Sequence, residues 1–372
     1  MKFKCEKNIL LKILINISRS VSAKSNIPAL EGIHITVKNS HILFESFNME
    51  FGIKTSIRIS DNFSETEEGS IVVPAKLFTE IIKNLPDSEI LFETKKLEIL
   101  ISCLECNFSI SGISSEDFPK LPLIEDEKEL VISSKIIKNI IQQTIFAVAD
   151  NIENSSVHTG ELWSLNNNIL TVVAVDGFRM AIKNESVNLP DNFKFIIPGK
   201  ALAEILRLIS SDEENIKIYI SERYAFFKFG NYTFLSRLLE GSFIDYASAI
   251  PSEYNTKVKL NVKEAISSLC RVAVVVNDHI QNPVKAIINP NGIFKLSCHT
   301  SNGHSNDEFK AEIQGDSIEI AFNYKYMLDA LKNSDTEEVF LEFTSPLKPI
   351  KILPSQGNSF TFLVLPVRIK DD

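Results

Sequence analysis

The chain is poor in the residues that enzymes and secreted proteins depend on. It has five cysteines, six histidines and one tryptophan in 372 residues. An odd, scattered set of cysteines excludes a disulfide framework and suits reduced thiols in a cytosol. Cys103-Leu104-Glu105-Cys106 is formally a CxxC. Within one strand its two thiols point to opposite faces and cannot share a metal without a turn. No second CxxC exists, and only Cys298, His299 and His304 offer further ligands, so no metal and no cofactor is expected. Walker, G-x-G-x-x-G, H-E-x-x-H and G-x-S-x-G patterns are all missing. No apolar run approaches the roughly 18 residues of a membrane span. Lys12 and Asn16 interrupt the N-terminal apolar residues, which argues against a signal peptide. A cytoplasmic protein without membrane association is expected.

Positive charge is also in deficit. With 39 Lys and Arg against 48 Asp and Glu, the formal net charge is -9, unlike an ordinary nucleic-acid binder with its basic domain. The distribution reverses that impression, because the chain repeats itself. Lys200, Glu204 and Arg207 fall at i, i+4 and i+7 after Ile197-Pro198-Gly199, on one face of a helix whose other face carries Leu202, Ile205 and Leu206. Lys76, Glu80 and Lys83 follow Val73-Pro74-Ala75 in the same way, and Lys325, Asp329 and Lys332 follow Phe322-Asn323-Tyr324. The copies are 124 and 125 residues apart, which means three copies of one domain. Acidic Glu125 to Glu129 and the stretch Phe243 to Pro251 mark the joints, giving domains over 1–124, 125–251 and 252–372. Each third opens with a strand stub and a helix (Lys7 to Ser22, Ser134 to Ala149, Val262 to Val276), and continues with period-two runs around the basic helix. The fold class is therefore α+β, two helices laid on antiparallel strands in each domain.

The six helices carry thirteen Lys and Arg against four Asp and Glu, so the rest of the chain carries about -18. Repeats curled with helices inward and sheets outward would line a hole with Lys76, Lys83, Lys200, Arg207, Lys325 and Lys332. Such a wall attracts phosphates without reading bases, and the acidic exterior repels them. Asp176-Gly177-Phe178-Arg179 offers an acid and an anion-binding arginine, but it directly follows a strand-like run and lacks a nucleophile or metal beside it. It reads as a strand end and turn, and no catalytic residue is expected.

Five segments in order resemble the bacterial sliding clamp family, the beta subunit of DNA polymerase III. Ala174-Val175-Asp176-Gly177-Phe178-Arg179-Met180-Ala181 resembles its A-T-D-G-H-R-L-A. Asp117-Phe118-Pro119 resembles the end of its first domain, and Ser236 to Tyr246 its S-K-L-x-x-G-x-F-P-D-Y. Phe322 to Asp329 resembles F-N-x-x-Y-L-x-D, and Leu363 to Ile369 the V-M-P-M-R-L terminus. The resemblance implies a head-to-tail homodimer, six similar domains in a ring around duplex DNA, acting as a processivity factor rather than an enzyme in the nucleoid-associated cytoplasm. Its implied partners are a clamp loader, the replicative polymerase, translesion polymerases and repair proteins, which dock a short peptide in a groove. By position the groove takes Val175, Gly177, Phe178, Arg179 and Met180, with Leu347, Pro349, Leu363, Val364, Leu365, Pro366, Val367, Arg368 and Ile369. An apolar trough with one or two fixed cations suits an extended peptide with Leu or Phe anchors. Phe108 and Ile110 are implied to pack on Val274 and Val275 of the partner, and Lys24 and Lys200 to approach DNA. Val175, His158, Ile244 and Ser248 depart from the usual threonine, aliphatic, proline and arginine. Those departures sustain an alternative, a clamp-derived protein that sequesters clamp partners without encircling DNA.

Overall fold

The computed structural model describes residues 1–59, 63–125, 128–150, 156–189, 192–210, 212, 214–276 and 283–368. Among them are six α-helices: α1 (Lys7–Ile17), α2 (Ala75–Asn84), α3 (Ser134–Thr144), α4 (Gly199–Leu208), α5 (Val262–Ala273) and α6 (Tyr324–Lys332). Each buries one stripe. Leu10, Ile13, Leu14 and Ile17 are the inner face of α1, and Ala75, Phe78, Ile81 and Ile82 that of α2. The asparagines ahead of α5 and α6 cap them, Asn261 Oδ1 accepting from Glu264 N at 3.1 Å and Asn323 Oδ1 from Lys325 N at 2.9 Å.

The first helix of each third is shorter than its apolar periodicity suggests. Helix α1 gives way at Ser18 to a 3-10 turn, where Ser20 Oγ turns aside to Ser46 O at 3.2 Å. Helix α3 ends at Thr144, whose hydroxyl bonds back to Ile140 O at 2.8 Å and across to Glu161. Hydroxyl side chains that compete for backbone partners close a helix in this way.

Among the described residues all the strand pairings between named strands are antiparallel, in four sheets. The chain divides into two compact units, Met1–Lys135 with Ala203–Leu238 and Ile136–Leu202 with Leu239–Asp372. In the first unit, a five-stranded sheet ends on the edge strand Cys106–Ser111. Its eight-stranded sheet joins strands of the first third to strands of the second, through Phe51–Arg58 against Tyr232–Arg237 with Ile53 opposite Phe234. The second unit repeats this plan. A nine-stranded sheet joins second third to last through Arg179–Ser186 against Phe360–Val364, with Ala181 opposite Phe362. A five-stranded sheet ends on the edge strand Gly303–Lys310. The seams between sequence repeats are thus continuous sheet, and the middle repeat is shared between the units.

The core of the second unit gathers Val258, Leu260, Leu269, Phe322, Met327, Leu341, Phe360 and Phe362 beneath α5 and α6. Two carboxylates are buried nearby. Glu342 sits between Lys257 at 3.0 Å and Lys351 at 2.7 Å, and Lys351 also donates to Pro251 O at 3.1 Å, tying down the entry to the last third. Glu161 has no lysine. Its carboxyl accepts from Thr144 Oγ1 at 2.8 Å and Trp163 Nε1 at 3.0 Å, and burial pushes its pKa up to about 8. The folded chain therefore holds this proton from the usual carboxylate range up to about 8, where the unfolded chain has released it. Stability from this group is greatest in acid and falls as pH rises through that window. Urea denaturation of the native chain and Glu161→Gln between pH 5 and 8.5 should show a steeper decline for the native chain, by about a few kcal/mol in total. Parallel curves would refute the assignment.

The Cys103–Cys106 pair departs from the single-strand reading. Leu104, at φ 50°, and Glu105 form a two-residue turn, and the two cysteines stand opposite each other at the close of a hairpin. Cys103 is buried, and burial raises its thiol pKa. Among the described residues no group of three or more His, Cys, Asp or Glu could hold a metal.

Candidate functional site: an ion-braced turn over an apolar cluster

Strands Ile169–Val175 and Arg179–Ser186 are joined by the turn Asp176-Gly177-Phe178, as the sequence suggested. Asp176 builds it: Oδ1 accepts from Phe178 N and Arg179 N, both at 2.9 Å. Gly177 adopts φ 90°, and nothing lies within 4 Å of where a Cβ would be, so the turn stays open to solvent. Below it, Val175, Met180 and Leu363 are buried in a cluster with Val157, Leu162, Val173, Ile182 and Ile196. Partly buried Leu239, Phe243, Tyr246 and Ile250 pack on the same cluster. Above that floor, Phe178 is 60% exposed and Leu347 68% exposed, with Leu365 and Val367 also at the surface. Leu365 N donates to Phe178 O at 2.9 Å, which brings the C-terminal segment to the turn. Val364 is wholly buried, Pro349 and Pro366 are half-buried, Arg368 is exposed, and Ile369 lies outside the described residues.

Arg179, one of the fixed cations that the sequence suggested, is tied to carboxylates of this chain. Its Nε donates to Asp176 Oδ2 at 2.8 Å, and its Nη1 is ion-paired with Asp329 on α6. Its Cζ lies 4.6 Å from the Tyr326 ring centroid and 5.7 Å from that of Phe146, while Phe178 stacks on Tyr326 at 6.2 Å. A guanidinium held by two carboxylates and two aromatic rings is a brace. It fixes the turn, and the turn presents Phe178.

The lysines and arginines assigned to DNA are all exposed: Lys24 in a bend, Lys76 and Lys83 on α2, Lys200 and Arg207 on α4, and Lys325 and Lys332 on α6. Lys83 is 3.9 Å from Glu80, and Arg207 pairs with Glu204. Phe108 and Ile110 lie on the edge strand of the first unit. Val274 is 81% exposed after α5, and Val275 O accepts from Thr300 Oγ1 at 3.0 Å at the end of the hairpin that carries the other free edge.

Three family models cover nearly the whole chain: the DNA polymerase III beta subunit N-terminal domain over residues 1–122, central domain over 131–245 and C-terminal domain over 247–368. The chain belongs to the DNA polymerase III beta subunit family. A beta sliding clamp of Staphylococcus aureus is 32% identical over 375 residues, covering 99% of each chain. The DNA polymerase sliding clamp of Bacillus subtilis superposes with a TM-score of 0.96 at 30% identity over 100% of both chains. A putative DNA polymerase III beta subunit of Eubacterium rectale gives 0.94 at 35% identity, covering 99% of this chain and 100% of that one. The beta subunit fold of three similar domains, with helices packed on antiparallel sheets, is that of this chain.

Sequence reasoning missed several residues around this turn of the beta subunit chain. Tyr326 and Phe146 hold Arg179, and Tyr246, Ile250 and Leu239 extend the apolar cluster. A signal for Tyr326 was present, because it is the tyrosine of the Phe322 to Asp329 motif, which was read for the family resemblance and for Lys325 rather than as a contact to Arg179. His158 stacks edge-on to Phe243 at 6.0 Å, beside the cluster residue Val157.

Proposed function

We propose that two copies of this chain close head to tail into a ring around duplex DNA, and that the groove tethers polymerases and other replication or repair proteins by an extended peptide. The ring has no catalytic centre and works in the cytoplasm, on the nucleoid. The observation that carries this reading is a junction that the chain makes twice and leaves open once. In the two internal seams, a strand that follows an Asx turn pairs with a strand near the end of the next repeat, Tyr232–Arg237 in one and Phe360–Val364 in the other. Asn48 Oδ1 accepts from Glu50 N at 3.0 Å ahead of Phe51–Arg58, as Asp176 does ahead of Arg179–Ser186. Thr300 Oγ1 accepts from Asn302 N at 3.1 Å ahead of Gly303–Lys310, and that strand is a free edge. Phe234 and Phe362 each reach across their seam, and Phe108 is their counterpart on the free edge Cys106–Ser111. An open strand edge invites pairing, and the complementary edges of two copies close a ring by heterologous contacts.

The basic faces of α2, α4 and α6 then have a use that needs no base contacts. Replacing Lys76, Lys200 or Lys325 by alanine should lower DNA affinity modestly and reduce the slope of log K against log salt by roughly 1 for each phosphate no longer neutralised. An unchanged slope after all three replacements would remove these helices from the DNA path. The decisive experiment loads the protein onto nicked circular DNA with its clamp loader and follows retention before and after the circle is cut. Retention on circles with rapid loss from linear ends is the expected result. Equal loss from both would mean ordinary electrostatic binding and no ring.

A further inference from the structure

We propose that His299 and His304 form a two-histidine site for a divalent transition metal such as zinc or nickel. The two residues stand directly opposite each other on antiparallel strands Ile293–Thr300 and Gly303–Lys310, one step in from the pair Thr300–Gly303 that closes the hairpin. Directly opposed side chains project from the same face of a sheet. The imidazole rings face each other, their centroids 6.5 Å apart and their planes 26° from parallel. With metal-to-nitrogen bonds of about 2.0–2.1 Å, one ion bridges them once both exposed rings turn about their side-chain bonds, out of the present stack, to bring a nitrogen of each toward it. Both side chains are exposed, so neither is committed to the core and an ion can enter from solvent. Cys298, the third ligand that the sequence offered, is excluded by geometry: strand alternation turns it to the opposite face, where it is buried.

The internal repeat shows that this pair is a local feature of the last third. At the same step from their turn-closing pairs, the second third has Val175 opposite Met180 and the first has Phe47 opposite Gly52. The apolar floor of the groove has thus been exchanged for two imidazoles on the last copy. Imidazole favours zinc, copper and nickel over calcium and magnesium. The same face carries Ser297, Asn306 and the ion pair Lys295–Glu308 at 3.4 Å, and the hairpin holds no further histidine. The site is therefore bidentate, with water completing the coordination. It does not depend on ring closure.

The test is equilibrium dialysis of the full chain against nickel chloride and zinc chloride at neutral pH, compared with His299→Gln and His304→Gln. The expected result is one ion per chain in the native protein, with at least tenfold weaker binding at that site in each variant and unchanged melting temperatures without metal. Surface substitutions of this kind leave the fold intact. Absence of binding at tens of micromolar metal, or binding that both variants retain, would overturn the proposal. Retained binding would assign the ions to the exposed Cys270 or other thiols.

Discussion

Replacing Phe108 and Ile110 together by aspartate should convert the proposed dimer to monomers at concentrations where the native chain is expected to pair. Phe108 is 40% exposed on a free edge, so the isolated protomer gives up little, whereas the closed junction would have to bury two unpaired carboxylates. Such groups at the centre of an interface cost at least about 2 kcal/mol each. A shift of the dissociation constant by roughly 100-fold or more is expected, read by sedimentation equilibrium. Val274→Asp, at the other proposed half of the junction, should give the same phenotype, and a mixture of the two variants should form heterodimers that cannot close both junctions. A native-like dimer in both variants would place the contact elsewhere and withdraw the ring. The thermal midpoint of the monomer serves as the control for folding.

Removal of the Arg179 side chain should weaken peptide docking at least tenfold while leaving assembly intact. Arg179→Ala deletes the ion pairs to Asp176 and Asp329 and the packing on Tyr326. Two carboxylates are left without their cation, and the stack of Phe178 on Tyr326 loses its brace. A peptide with leucine and phenylalanine anchors gains roughly 1–3 kcal/mol per buried anchor, so loss of an ordered wall should weaken it at least tenfold. Asp329→Asn keeps the shape and should cost less. The double variant Arg179→Ala with Asp329→Ala should be less impaired than the sum of the singles, because the stranded charge is gone. Fluorescence anisotropy with a labelled peptide measures all three. Affinity unchanged in Arg179→Ala would mean that the groove does not rely on the turn.

The same two residues show how far the sequence could be read. The acidic member of the repeated Lys-Glu-Arg face was legible as a helix position, and its helix formed in all three copies. Its partner was not legible, because in two of the three copies it is set by contacts more than a hundred residues away. Glu80 meets Lys83 in its own helix, Glu204 reaches Arg19 at 3.2 Å, and Asp329 reaches Arg179. Arg179 could therefore be assigned to the groove, yet its charge could not be known to be spent internally. The Cys103–Cys106 turn was hidden for a similar reason, since Leu104 takes a left-handed conformation that its residue type does not announce. Apolar periodicity marked where strands and helices begin, and hydroxyl groups such as that of Thr144 decided where helices stopped.

The shared sheets also determine how the chain can be divided. A fragment cut near residue 251, at the end of the second repeat, would lose Phe360–Val364 and leave Arg179–Ser186 as a raw edge. It would shed the outer side of the groove in the same stroke, since Leu363 and Leu365 depart with the missing piece. The repeats are units of descent rather than of independence. A protein evolved by duplication has here stitched its copies so closely that no one of them can be borrowed as a free-standing module, and recombination within the gene would have to respect the strands rather than the repeats.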